Sequence, residues 1–178
     1  MPSPYAHAIA GIAISTPYLN SKIRAMQHKE DIVTLIVFSL LPDLDALPGL
    51  LVGNMSLYHN QFTHSPLFAI IVFLIYSGIR RMIPPSRSLI HTLKLSAGAY
   101  GLHLIMDVFT HGRGLMLSWP FSDERYSPPF VLFYGFRHSE PLLSTSHIIT
   151  FVTESLTMLP VLALVWFMQK RKGKHLNE

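Results

Sequence analysis

Leu40-Leu41-Pro42-Asp43-Leu44-Asp45-Ala46-Leu47-Pro48 sets two acids, one residue apart, inside an apolar run that extends from Ile32 to Val52 and holds no base. A charged group in a hydrocarbon setting costs several kcal/mol, roughly 3 on insertion scales, so carboxylates in such a run point to a bound cation or a catalytic task. The run is long enough to span a bilayer, because about 20 helical residues at about 1.5 Å each cover the ~30 Å hydrocarbon core. Two acids separated by one residue would face different sides of a regular helix. Pro42 changes this: it removes an amide donor and crowds the preceding turn, so the helix is expected to kink or break and to free backbone groups beside the acids. The structural alternative is a helix end with aspartate caps, and Asp45 is open to an orienting rather than a ligating role.

Four further apolar segments flank this one, Tyr5 to Leu19, Pro66 to Ile83, Leu95 to Phe109 and His147 to Met168. None alternates with the period of a strand, so all are read as helices. The last is also long enough to span, whereas the other three are short and expected to be tilted spans or partly re-entrant helices. Between them lie Asn20 to Asp31, Gly53 to Ser65, Pro84 to Lys94 and a long Pro- and aromatic-rich loop from Gly112 to Ser146. The fold class is all-α, an integral membrane bundle of about five helices forming one domain over residues 1–178. Composition agrees: hydrophobic residues make up 49% and charged residues 13%, about half the charged share of a soluble domain. Mean hydropathy is positive. There is no internal repeat, and Met1 to Leu19 lacks the basic leader of a secretory signal, so it is expected to be retained. With no cysteine, neither disulfides nor thiolate metal sites are possible, and any metal must be held by nitrogen and oxygen.

The 14 Lys and Arg form no single patch and do not alternate with aromatics, which argues against nucleic acid as a partner. They cluster at Lys22, Arg24 and Lys29, at Arg80, Arg81, Arg87 and Lys94, and at Lys170, Arg171, Lys172 and Lys174. Alternating crossings place these three clusters on one side, leaving only Arg113, Arg125 and Arg137 on the other. The positive-inside rule makes the cluster side cytoplasmic, with the N-terminus outside and the C-terminus in the cytoplasm. His7, Asp43, Asp45, His59, His64, His103, Asp107 and Glu154 then all fall at a similar depth toward the extracytoplasmic side. The topology was drawn from the bases alone, so this agreement is independent support.

His103 and Asp107 are four apart, which on a helix brings both side chains to one face within reach of a single ion. A buried histidine bonded to a neighbouring carboxylate is the bland reading of the same spacing. In His59-Asn60-Gln61-Phe62-Thr63-His64-Ser65-Pro66, Ser65 suits a helix N-cap and Pro66 the first helical position, so the two histidines stand at a helix mouth. His7 is a single interfacial histidine. Glu154 has no adjacent opposite charge in sequence, and its bland reading is a partner on another helix. Ala97, Gly98 and Gly101 are expected at close helix contacts. His28, His91, His111, His138, His147 and His175 lie in or beside loops and are read as solvated.

These residues carry a resemblance. The ordered set of an N-terminal His, Leu-Pro-Asp-Leu-Asp, His-x-x-x-Thr-His-Ser, and His103-x-x-x-Asp107-x-x-Thr110 leading to Trp119-Pro120-Phe121-Ser122 resembles the YdjM-like family of inner-membrane metal-dependent hydrolases. The likeness covers most of the chain. It departs at Asn60 and Gln61, where that family commonly has Arg-Gly, and at His111. More remotely, the order of His, Asp, His and His-x-x-x-Asp on helices is similar to zinc-dependent phospholipase C and single-strand nuclease enzymes, which implies phosphoester hydrolysis.

The expected function is a metal-dependent hydrolase in the bacterial inner membrane. The expected ligands are His7, Asp43, His59, His64, His103 and Asp107, with Asp45 and Glu154 as ligand, orienting group or general base. This set exceeds what one ion needs, so one or two divalent ions are expected, zinc first because histidine is abundant, then manganese or iron. Arg113 and Arg137 are expected to grip the substrate, an ester or phosphoester of a lipid-like molecule, with membrane lipids as neighbours. The rival class is a non-enzymatic metal-binding membrane protein, an ion carrier or a metal-stabilised interaction module.

Overall fold

The computed structural model of the protein describes residues 1–15, 25–54, 57–83, 88–137, 140 and 144–174. Lys22, Arg24, Arg87, His138 and His175 lie outside them, as do the side chains of His28 and of the basic run after Gln169. Six helices follow in order: α1 Pro4–Ser15, α2 Ala25–Leu40, α3 Leu47–Leu51, α4 Pro66–Met82, α5 Leu89–Val108 and α6 Thr145–Lys174. Among the described residues there are no strands, only two isolated bridges, Thr110 with Phe133 and Leu115 with Tyr126. The all-α class read from the sequence holds.

Pro42 breaks the second apolar segment as its chemistry requires. It has no amide to give to the carbonyl four residues back, so α2 stops at Leu40 and Leu41–Ala46 winds as a tighter 3-10 turn before α3. Ser65 caps α4 by accepting from Phe68 N at 3.1 Å, with Pro66 at the first position. α5 starts earlier than the apolar stretch read from the sequence, at Leu89 instead of Leu95. Ser88 caps it, accepting from His91 N at 3.3 Å, and the mixed first turns through His91, Thr92 and Lys94 are helical as well.

Lys29–Gly49 and Thr145–Leu164 are long and apolar enough to cross a membrane. Exposure gives a second indication. α4 turns Ile70, Leu74, Ile75 and Met82 outward, and α6 turns Ile148, Phe151, Leu156 and Leu164 outward. Apolar surface on that scale is what lipid, not water, accommodates. The interior is organised by α1, α2 and α5, which pack on one another, with α4 against α5 and α6 against α1. One core cluster joins Leu35, Phe38, Ala69, Leu95, Ala99 and Tyr100, and a second joins Ala6, Ala10, Met106, Phe133 and Met158.

α1 and α2 approach closely at Gly11, where an added Cβ would stand 2.0 Å from Ser39 Oγ, 3.2 Å from Ser39 Cβ and 3.3 Å from the Leu35 carbonyl. Gly101, expected at such a contact, instead has open space around it. Gly11→Ala is therefore expected to destabilise the bundle by about 1–3 kcal/mol, as overpacking does. Adding Ser39→Ala should restore part of this, because only the hydroxyl conflict is removed. Denaturation of the purified variants in detergent would measure both steps.

The loop after α5 folds back over one end of the bundle. His111 N donates to Phe133 O at 3.0 Å, Phe136 N to Met1 O at 2.6 Å, and Leu115 and Tyr126 exchange bonds of 2.9 and 2.8 Å. That is the end where the buried acids gather.

Candidate metal centre

Four elements deliver the polar groups to one place. His7 comes from the first turn of α1, Asp43 and Asp45 from the 3-10 turn that Pro42 creates, His59 and His64 from the stretch before α4, and His103 with Asp107 from the last turns of α5. His7, His64, His103 and Asp107 are 3% exposed or less. Asp43 Oδ1 lies 3.8 Å from His59 Nε2, 3.7 Å from His64 Nε2 and 3.5 Å from His103 Nε2. Asp107 Oδ2 lies 3.2 Å from His64 Nε2 and 3.6 Å from His103 Nε2, and Asp107 Oδ1 lies 3.2 Å from His7 Nε2. The His7 and His103 rings stack with centroids 3.8 Å apart.

Outer contacts set which ring nitrogen faces inward. His103 Nδ1 lies 2.7 Å from the Ser39 carbonyl, which can only accept, so the proton is on Nδ1 and Nε2 faces the carboxylates. His59 Nδ1 donates to Asp45 Oδ1 at 2.9 Å. His64 Nδ1 lies 3.2 Å from Asp45 Oδ2 and 3.1 Å from Thr63 Oγ1, which itself donates to Asp45 Oδ2 at 2.6 Å. Gln61 N also reaches Asp45 Oδ2, at 3.2 Å. Asp45 is thus fully occupied in holding two histidines by their outer nitrogens, the usual way a carboxylate orients metal-binding imidazoles. This geometry suits an orienting carboxylate, one of the roles open to Asp45 from the sequence.

The donor set fits a divalent cation. Both oxygens of Asp43, both oxygens of Asp107 and both ring nitrogens of His7 are buried and make no hydrogen bond among the described residues. Buried carboxylate oxygens left so are costly, several kcal/mol for an uncompensated charge, and a cation among them offsets that cost. His64 Nε2 and His103 Nε2 face one another at 3.2 Å. Two nitrogens about 2.0–2.1 Å from one tetrahedral zinc would stand about 3.3 Å apart. Asp43, His64, His103 and Asp107 offer one ligand atom each within 4.8 Å of one another, and Asp45, His59 and His64 form a second such group. His64 belongs to both groups, and its Nδ1 is turned toward Asp45 and Thr63 while its Nε2 faces Asp107 and His103. The first group is therefore the better ion site. Without a cation, burial would lower the pKa of His64, but the surrounding carboxylates of Asp107, Asp43 and Asp45 outweigh this and hold it well above the ordinary histidine range.

Three expected site residues lie elsewhere or touch the centre only indirectly. Glu154 accepts from Ser3 N at 2.8 Å and from Ser3 Oγ, tying α6 to the start of α1, and is not among the residues gathered around Asp43 and Asp107. Arg137 pairs with Glu140 at 3.3 Å and lies over the Tyr134 ring. Arg113 donates to the His59 carbonyl at 2.9 Å, and so touches the backbone of the site. Beside it stands a residue the sequence reading did not select: Arg125 donates to Asn60 O at 2.9 Å and Gly114 O at 3.1 Å. Burial, with the neighbouring Arg113, lowers the pKa of Arg125, and Asp45 partly opposes this. Asn60 takes the left-handed conformation, φ 60°, which asparagine tolerates and most residues do not. Two histidines expected to be solvated lie in first helical turns and are engaged, His91 of α5 with Asp31 at 3.2 Å and His147 of α6 stacked on Phe136 at 3.8 Å.

A helical membrane bundle closed at one end by a buried histidine and carboxylate centre is the class these features define. The chain belongs to the YdjM inner membrane protein family, whose model matches residues 1–174. It is 35% identical over 98 residues to the inner membrane protein YbcI of Escherichia coli strain K12, a match covering 53% of this chain and 56% of that protein. The chain thus spans about half the length of the curated relative it matches. No solved structure matches it.

Proposed function

We propose that this inner-membrane protein is a metal-dependent hydrolase acting on an ester or phosphoester of a lipid-like substrate. The observation that carries this reading is the convergence of three inward histidine nitrogens on two buried carboxylates that make no hydrogen bond of their own. Asp43, His64, His103 and Asp107 would hold the ion, with His59 and His7 adjoining, and zinc suits so many imidazoles best. A divalent ion held there would supply Lewis acidity, polarising the carbonyl or phosphoryl group of the scissile ester and making water a usable nucleophile near neutral pH. Asp43 is the least buried carboxylate of the set, its side chain 12% exposed, and marks the side from which substrate would approach. Arg113, joined by Arg125, lies on that loop surface and offers planar donors to a phosphoryl or carboxyl oxygen.

An ion carrier would need polar groups continuing through the bundle. Instead Leu35, Phe38, Leu95 and Ala99 pack beneath the centre, which favours the hydrolase. Metal-replete protein is expected to release headgroup or phosphate from lipid phosphoesters, to stop when chelated, and to slow about tenfold in Arg113→Ala, the scale of one charge-assisted hydrogen bond. Metal-replete protein that instead cleaves only acyl or peptide bonds would keep the hydrolase and discard the phosphoester. No hydrolysis of any phosphoester, acyl or peptide bond would discard the enzyme reading.

The distribution of bases further supports a centre facing the extracytoplasmic side. With no native cysteine to interfere, single cysteines at Ser127 and Ser88, both exposed, can test this. Ser127→Cys should react with an impermeant thiol reagent added to intact cells and Ser88→Cys should not. The reverse pattern would put the centre in the cytoplasm.

A further inference from the structure

At the end of the bundle opposite the metal centre, a cavity of about 310 Å³ opens between the start of α2, the end of α4 and the start of α5. Its walls are Lys29, Glu30, Asp31, Thr34, Arg80 and Thr92, with Val33 beside them. That volume reaches the range of small-molecule sites, about 300–1,000 Å³. The two carboxylates are engaged: Asp31, 2% exposed, faces His91 Nε2 at 3.2 Å, and Glu30 also has a partner. Arg80 is different. Its Nε is buried with no hydrogen-bond partner among the described residues, although a guanidinium presents its donors in a fixed fork. Leaving such a donor unpaired is costly, so its position calls for an acceptor that the described chain does not provide.

Charge and depth describe that acceptor. Lys29 shares the cavity, and Arg81 and Lys94, both exposed, stand close by in sequence on the same helix ends. The outward apolar residues Val33, Ile79 and Met82 lie next to them, so the cavity sits where apolar helix surface gives way to basic residues. That is headgroup depth, and basic pockets between helix ends are suited to anionic headgroups. We propose that this cavity is a second site, independent of the metal centre, which binds a phosphate group through Arg80 and Lys29. The phosphate is that of an anionic lipid headgroup in the leaflet opposite the metal centre, or a free phosphate of the same chemistry.

The test uses the full chain purified in a neutral detergent, with phosphatidylglycerol, phosphatidylcholine and inorganic phosphate as probes, followed by native mass spectrometry and thermal melting. One saturable phosphatidylglycerol per chain, with little phosphatidylcholine, supports the site and names the lipid source. Equal stabilisation by inorganic phosphate supports the site and names the free anion. Arg80→Gln should weaken either ligand about tenfold and Lys29→Gln several-fold, while Arg81→Gln should change little. Lys29 is exposed, so its variant remains informative even where Arg80→Gln folds poorly. No saturable binding by any probe, or equal losses in Arg81→Gln and Lys29→Gln, would overturn the proposal.

Discussion

Asp107→Ala is expected to cost the protein its metal and, with it, about 10²–10³-fold or more in hydrolysis, the scale on which removal of one electrostatic element lowers turnover. Asp107 touches three histidines with both of its oxygens, His7 through Oδ1 and His64 and His103 through Oδ2. Its loss leaves Asp43 as the sole carboxylate of the ion group. Asp107→Asn separates charge from shape: it keeps the volume and one oxygen, so the bundle should fold while metal affinity still falls. His111→Ala, on an exposed loop position, should leave metal content unchanged. Elemental analysis and lipid turnover, run on the same preparations, would check each step. Wild-type metal content in Asp107→Ala would remove the residue from the ligand set.

Asp45→Ala should have the next largest effect, through a different route. Asp45 accepts from His59, Thr63 and the Gln61 amide and lies 3.2 Å from His64 Nδ1, so its removal frees two imidazoles to rotate and leaves buried donors without an acceptor. Loss of such an orienting carboxylate costs about 10–100-fold in metal affinity. Breaking a buried ionic network from one side costs about 3–5 kcal/mol in stability. Asp45→Asn should be milder on both counts, since it retains an acceptor. Metal titration alongside denaturation distinguishes this from a ligand: excess metal should restore function in the Asp45 variants but not in Asp107→Ala.

Metal uptake should also depend on pH. The carboxylates around His64 favour its protonated form, and a cation must displace that proton. Affinity is therefore expected to weaken as pH falls and to strengthen as it rises toward the elevated His64 pKa. Each ion bound should release a proton, measurable by titration in two buffers of different protonation enthalpy.

Much of this centre was legible in the sequence because its residues break a strong rule. Acids and histidines inside apolar segments stand out one at a time, and Pro42 reads locally as a break, so Asp43, His103 and Asp107 could be assembled before any contact was known. The His-x-x-x-Asp spacing is a helix property and needed no tertiary information. Pairings between elements were less visible. Ser3 with Glu154, Asp31 with His91, and Arg125 with Asn60 lie 151, 60 and 65 residues apart, and no local pattern encodes such contacts. Gly11 was missed for the same reason, since a small residue says nothing of what faces it until the neighbouring helix is placed. Arg137 and Glu154 were selected for charge and depth alone, properties that do not tell which partner a charge will meet.

The histidines and carboxylates of α1, the 3-10 turn after α2, α5 and the stretch before α4 are proposed to hold a divalent ion. The most direct test is the metal content of protein purified in detergent without added metal, compared with the His103→Ala plus Asp107→Ala double variant. One or two equivalents per wild-type chain, and a loss of at least the ion held by His64 and His103 in the variant, is the predicted result. Stoichiometric metal in the double variant, or a wild-type protein that binds none even when metal is supplied, would contradict it.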